Sequence, residues 1–322
     1  MVNYDNGTVS MLLGNGDGTF RNRTAQEIGS SPGSMVSADF NHDGKPDLAV
    51  ITGSNISVLL GNGDATFQNR HSFYTADGLQ CIISADLNND GESDLAVTNK
   101  YDNTVSVLFG NGNGTFQNRT TYETGSEPVF VASADFNNDG KLDLAVANQH
   151  DNTAIVLLGQ GNGTFRNGDT YHIGENPISV VSADFNSDGK SDLAVVSQSA
   201  DAVSMLFGKG DGTFPNGNTY YPGRTPQSII SADFNNDGES DLAVANIIES
   251  TISVLFGNGD GTFRNRTTYE TDTQPFAITS ADFNNDGEPD LAVIGLHNGS
   301  IQTFIRITSL NHLKYTNIVH NL

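Results

Sequence analysis

The sequence predicts an all-β chain, a β-propeller of four-stranded antiparallel blades, and three observations predict it. An acidic segment opened by aspartate recurs at Asp39, Asp86, Asp135, Asp184, Asp233 and Asp282, first 47 and thereafter 49 residues apart. A second landmark keeps phase with it: GNGDGTF begins at Gly14 and returns in variant form at Gly61, Gly110, Gly159, Gly208 and Gly257. No segment keeps a 3.6-residue apolar period, whereas short runs rich in β-branched residues are abundant, which excludes a helical repeat. A period in the forties with four short strands per unit is what a propeller blade requires.

Taken in order, one unit opens on VFVASA (129–134), a continuous small or β-branched run expected for a strand covered on both faces. The acidic loop follows, then LAVA (144–147), of the same character. After a short variable loop comes TVSVLF (104–109 in the preceding unit), and after the Gly-Asn turn TFQNRTTY (115–122). These two alternate polar with apolar, as expected nearer a sheet edge. Five residues ahead of each loop stand Ser34, Cys81, Phe130, Ser179, Ser228 and Ala277, mostly small, which suits an innermost strand. Cys81 is then a buried, inert thiol, and a single cysteine allows no internal disulfide.

The ends bear on the blade count. The chain opens at VNYDNGTVSMLLG, matching the end of a second strand and the whole of a third, and its last repeat supplies strands one, two and a degenerate third. The simplest closure pairs strands from Asp282–Ile294 with strands from Thr8–Ile28, giving six complete blades in a ring closed by both termini; seven, or a piece of a longer array, are the rivals. Residues 1–306 would form the propeller and 307–322 a C-terminal tail.

Composition narrows function. Fifteen basic residues against 38 acidic ones give a net charge of −23, so nucleic acid and anionic membrane surfaces are disfavoured partners and cations are favoured. No apolar run reaches the roughly 18 residues of a membrane span, and the first residues lack the pattern of a signal peptide.

The acidic segments all read D-x-N-x-D-G-x-x-D. Their oxygen donors are Asp39, Asn41, Asp43 and Asp47; Asp86, Asn88, Asp90 and Asp94; Asp135, Asn137, Asp139 and Asp143; Asp184, Asn186, Asp188 and Asp192; Asp233, Asn235, Asp237 and Asp241; Asp282, Asn284, Asp286 and Asp290. The seventh residue, Lys45, Glu92, Lys141, Lys190, Glu239 or Glu288, would offer its backbone carbonyl, while glycine at six permits the sharp turn. Clustered carboxylates repel one another unless a cation sits among them, and several carboxylate and carbonyl oxygens in a flexible cage suit Ca²⁺ better than Mg²⁺. Up to six calcium ions are expected. Eighteen aspartates lie in these loops; without them the net charge of −23 would be −5. The loop differs from an EF-hand, since its closing acid sits at nine and strands flank it. The Gly-Asn turns carry Asp or Asn interchangeably, which reads as turn chemistry rather than a second cation site.

DFNNDGKLDLAVAN followed by TVSVLFGNGNGTF resembles the FG-GAP or VCBS repeat of integrin-α-like propellers, over nearly the whole chain. The FG pair survives at Phe109-Gly110, Phe207-Gly208 and Phe256-Gly257; the GAP tripeptide is absent, which makes the VCBS variant the closer likeness and weakens any inference of an integrin partner. The resemblance implies an extracellular adhesion or ligand-binding propeller whose calcium ions stiffen the blades.

In such a blade the acidic loops and Gly-Asn turns share one face, leaving the opposite face to the loops that differ between copies, where a protein or carbohydrate ligand would bind. Tyr101, His150, Arg224, Ile247 and Ile248 are the least ordinary members of those loops. Catalysis finds little support: no H-E-x-x-H and no G-x-S-x-G occurs, so the expectation is a non-enzymatic protein, monomeric or one module of a longer chain. A polysaccharide-degrading scaffold and a purely structural module are the alternatives. Eight N-x-S/T sequons fit a secreted glycoprotein but also arise by chance in so Asn-rich a chain. Loops suited to extracellular calcium place the protein outside the cell or at its surface.

Overall fold

A computed structural model describes residues 1–296, 301–307 and 312–316. Its described residues form seven antiparallel sheets and no helix. The fold class is the one predicted; the blade count is not. Pro275–Ala281 and Asp290–Gly295 pair with Ile301–Ile307 and His312–Thr316 in a four-stranded sheet of their own, and the N-terminal strands Thr8–Gly14 and Phe20–Glu27 pair with Val2–Asn3 in a three-stranded sheet. The six-blade arrangement with one sheet shared between the termini therefore gives way to seven sheets. The reason is local: Gln302 and Thr303 pair with Val293 and Ala292 although the repeat motif is degenerate there, because strand pairing needs backbone groups rather than the motif's side chains.

The fourth sheet shows the plan of the five full repeats. Its strands are Pro128–Ala134, Asp143–Asn148, Thr153–Gly159 and Phe165–His172, each hydrogen-bonded to the next in sequence. The register shifts between Pro128 and Phe130, as expected where a proline cannot donate to the ladder; Pro177, Pro226 and Pro275 mark the same irregularity. Strand two is buried along its whole length. Strand one is only half-buried, and strand three is as buried as strand two, which reverses the expectation for those two. Strands two and three are interior in the sheet order and strands one and four are its edges. The alternation that suggested an edge at TVSVLF is explained by internal partners: Asn99 Nδ2 donates to Thr104 Oγ1 at 2.8 Å and to the fully buried Ser106 Oγ at 2.7 Å. A buried hydroxyl that is hydrogen-bonded costs little.

By internal contacts the chain has two compact units, Met1–Leu12 with Asn22–His172 and Asp211–Thr213, and Leu13–Arg21 with Ile173–Gly210 and Phe214–Leu322. In the first, apolar residues of the second and third sheets share one core cluster, including Ile56, Val58, Leu95, Val97 and Phe116; Cys81 belongs to the next cluster with Leu87, Val131 and Leu144. Burial raises the Cys81 thiol to about 11, so it is an unreactive core side chain. In the second unit, Phe185, Val203 and Val244 head one cluster and Phe234, Val254, Val293 and Phe304 another.

Successive sheets are tied by one bond that repeats. Within the first unit the Gly114 N–H donates to the Phe40 carbonyl at 2.8 Å and the Gly212 N–H to that of Phe136 at 3.0 Å. Within the second, Gly261 donates to Phe185 and Gly18 to Phe283, both at 3.0 Å. The last of these joins the first Gly-Asn turn to the last acidic loop, and Phe20 and Phe283 meet edge-on beside it at 5.7 Å. The first glycine of every turn after the first is crowded, Gly14 alone having open space: a Cβ at Gly159 would stand 2.1 Å from the Leu142 carbonyl oxygen. Gly159→Ala should therefore destabilise the protein by about 1–3 kcal/mol through overpacking, read as a lower midpoint in urea at fixed calcium. An unchanged midpoint would show that the turn yields freely.

Candidate metal-binding loops

Each acidic loop bridges strands one and two, and its backbone takes the same path six times. Glycine at position six has positive φ throughout, from 77° at Gly140 to 88° at Gly238. So does the residue at position four: His42, Asn89, Asn138, Ser187, Asn236 and Asn285 lie between 55° and 61°. The sequence reading assigned position four no role. Its signal was present, since asparagine dominates there and tolerates the left-handed region.

The side chains curl the loop by binding its own amides. In the second sheet Asp39 Oδ1 accepts from the Asp43 N–H and Oδ2 from Gly44 at 2.8 Å, Asn41 Oδ1 accepts from Asp43, and Asp43 Oδ1 accepts from Lys45 at 3.0 Å. The same bonds recur at Asp86, Asn88 and Asp90, at Asp135, Asn137 and Asp139, at Asp184, Asn186 and Asp188, at Asp233, Asn235 and Asp237, and at Asp282, Asn284 and Asp286.

Position nine differs in kind. Asp47, Asp94, Asp143, Asp192, Asp241 and Asp290 are fully buried at the first residue of strand two. Asp143 Oδ2 accepts from the Phe136 N–H at 2.9 Å and Oδ1 from Gly159 at 2.7 Å, so one carboxylate holds both the loop and the Gly-Asn turn. Asp47, Asp94, Asp192 and Asp241 do the same. Among the described residues no basic side chain pairs with any of these five. Burial, with the neighbouring loop aspartates adding to it, raises Asp47 above the usual carboxylate range, Asp94, Asp143 and Asp192 to about 6 and Asp241 to about 7. A buried carboxylate without a counter-charge is a standing cost.

Position two anchors the loop. Phe40, Leu87, Phe136, Phe185 and Phe234 are buried, and Phe40 packs edge-on against Phe116 at 5.5 Å. Position seven engages its side chain. Lys45, Lys141 and Lys190 fold back to Asp43, Asp139 and Asp188 at 3.3, 3.3 and 3.0 Å. Where the residue is glutamate it reaches position four of the preceding loop: Glu92 meets His42, Glu239 meets Ser187 and Glu288 meets Asn236. Exposed pairs of this kind are worth at most about 1 kcal/mol each.

Among the described residues no three acidic, histidine or cysteine side chains stand close enough to form a metal centre as they are. The donor chemistry nevertheless fits calcium. Each loop offers three carboxylates, a side-chain amide and a backbone carbonyl; a carboxylate oxygen that accepts one amide bond retains a second lone pair; and the competing lysines are held only by exposed ion pairs. Asp17, Asp64 and Asp260 of the Gly-Asn turns instead accept from Thr19, Thr66 and Thr262, bonds that hold their carboxyls below the usual range. This supports turn chemistry at those positions.

The loops that differ between copies lie at the other end of the sheets, on a backbone that hardly differs. Lys100 N–H donates to the Gly78 carbonyl, Gln149 to Glu127, Gln198 to Asn176 and Ile247 to Thr225, all at 2.9–3.0 Å. Exposed large apolar side chains gather here: Tyr4, Tyr74 and Tyr101 in the first unit, Tyr221, Ile248, Phe276 and Leu296 in the second. Of the residues singled out from sequence, Tyr101, His150, Arg224 and Ile248 are exposed and Ile247 is half-buried.

The profile of the FG-GAP-like repeat matches residues 1–50, 39–97, 86–146, 135–195, 184–244 and 233–293. The chain belongs to the FG-GAP-like repeat family. Among curated proteins none matches this FG-GAP protein in sequence. Solved structures similar to it include an Agrocybe aegerita lectin that recognises non-reducing terminal N-acetylglucosamine, at 16% identity and a TM-score of 0.62, covering 97% of this chain and 90% of that one. A Lactobacillus plantarum protein is 13% identical with a TM-score of 0.71, covering 92% and 87%. BBS1N in complex with ARL6DN is 14% identical with a TM-score of 0.65, covering 92% and 90%. Identities this low establish the shared fold alone.

The raised carboxyls set a pH dependence. Between about pH 4 and pH 7 the metal-free folded chain holds protons that the unfolded chain has released, so its stability should fall as pH rises through that window. Calcium, which binds the ionised carboxylates, should flatten or reverse the slope. Melting midpoints at about pH 4.5 to 7.5, with chelator and with calcium, read this directly. A metal-free midpoint that climbs with pH would refute it.

Proposed function

We propose that this FG-GAP propeller is a calcium-stabilised, non-enzymatic binding module that acts in extracellular adhesion or ligand recognition. The observation that carries the calcium half is the buried aspartate at position nine, which has two amide partners and no counter-charge in five loops of one conformation. A divalent cation held by Asp39, Asn41, Asp43, the Lys45 carbonyl and Asp47, and by their counterparts in the other five loops, would supply that charge and fasten strand one to strand two in each sheet. Cytosolic calcium would fill only high-affinity sites, so loops of this open, exposed kind suit an extracellular setting.

The recognition half rests on the opposite end of the sheets. Side chains there vary while the backbone is fixed by repeated hydrogen bonds, and exposed tyrosines stand among carboxylates and amides. Propellers of similar fold bind in both of the ways considered: the Agrocybe lectin recognises a sugar, and BBS1N forms a complex with a protein. Among the described residues no helix is long and apolar enough to cross a membrane.

Thermal unfolding followed by circular dichroism, with calcium, with magnesium and after chelation, tests the reading. Each site filled at a hundredfold excess over its Kd adds about 2.7 kcal/mol, so several sites should raise the midpoint by many degrees with calcium and much less with magnesium. Equal midpoints in all three conditions would remove the calcium half.

A further inference from the structure

The first unit carries a cleft of about 530 Å3 at the end opposite the acidic loops, where Asn3–Thr8 and Glu27–Ser31 face one another. Its volume lies within the range of small-molecule sites. Beside two glycines it is lined by Tyr4, which is 67% exposed, the acids Asp5 and Glu27, Asn6, Ser30 and Ser31. Among the described residues no lysine, arginine or histidine lines it.

The floor is rigid. Gly7 has a φ of 65°, and a Cβ on it would stand 2.5 Å from the Gly29 carbonyl oxygen, so the two segments touch there and a side chain on Gly7 would pry them apart. The Ile28 N–H donates to the Gly7 carbonyl at 2.9 Å while the Ile28 side chain is fully buried against Val9 and Leu48. Across the mouth the Gly53 N–H donates to the Ser31 carbonyl at 3.2 Å. The backbone of the cleft is thus tied to the core, and its side chains are exposed.

We infer that this cleft binds a pyranose unit that carries no acid group. The inference rests on the ligand-recognition half of the function proposed above and names its chemical class. An exposed aromatic ring offers an apolar, electron-rich face that suits the C–H face of a sugar, and stacking there withdraws apolar area from water on both partners. Carboxylates accept hydrogen bonds from ring hydroxyls, the asparagine amide both donates and accepts, and serines adapt to either role. The carboxylates, with no basic residue beside them among the described residues, reject uronates, sulfated sugars and nucleotides by charge.

Affinity electrophoresis of the calcium-loaded protein through gels of hydroxyethyl cellulose, mixed-linkage β-glucan, galactomannan and glycol chitin, with sodium hyaluronate as the anionic counterpart, tests the assignment. At least one neutral polymer should retard the protein and hyaluronate should not. Tyr4→Ala and Glu27→Gln should each weaken retardation tenfold or more with the melting midpoint unchanged, since both side chains are exposed. Three results would overturn the cleft: no retardation in any neutral gel, stronger retardation in hyaluronate, or undiminished retardation of both variants. Retardation that survives Tyr4→Ala but is lost in Tyr101→Ala would overturn the cleft and keep ligand recognition, while the calcium half stands or falls separately on the melting experiment.

Discussion

Much of this structure depends on one buried carboxylate per repeat. The aspartate at position nine sits at the first residue of strand two, accepts one amide bond from the acidic loop and another from the Gly-Asn turn, and so fixes the geometry of two connections at once. Both are then positioned to meet a neighbouring sheet: the position-two carbonyl of one loop receives the glycine N–H of the turn beside it, and the position-two side chain enters the core. An asparagine in its place would turn an NH₂ donor toward one of the two N–H groups, whereas a carboxylate offers each of them its own acceptor oxygen. The charge that makes the carboxylate a good acceptor also makes its burial costly, and that tension is what the calcium ion proposed above would relieve.

The two ends of each sheet divide the physical work. At the acidic end positions one, three, five, six and nine are the same in all six loops because each is engaged: one, three and five with loop amides, glycine six with a positive φ, nine with a buried place at the start of strand two. At the other end the backbone bonds recur while the side-chain bonds differ from copy to copy: Lys100 meets Gln149 and Glu127, whereas Gln198 meets Asn176 and Gln227. Side chains there are free to differ, which is how a regular scaffold presents irregular chemistry. The concentration of exposed tyrosines at that end, and the cleft beside Tyr4, follow from this division.

Legibility in the sequence followed the same line. The period, the strands and the loop donors could all be read, because each is a local pattern repeated six times. The roles of positions two, four and seven could not, since they depend on what the loop meets: Phe40 has its partner ring 76 residues away at Phe116, and Glu92 has its partner at His42, in the preceding sheet. The alternation in TVSVLF misled for a related reason, as Asn99 satisfies Ser106 across a strand pair that periodicity does not reveal.

The sequence by itself determined that this is a chain of antiparallel sheets with an acidic, oxygen-rich loop in each full repeat, because backbone conformation and donor chemistry are set by residues close together in the chain. Tertiary structure decided how many sheets form and which side chains become anchors. Strand pairing at the degenerate C-terminal strands Ile301–Ile307 and His312–Thr316 is made by backbone groups that any sequence carries. The burial that perturbs the position-nine aspartates arises only when strands two and three are enclosed by their neighbours.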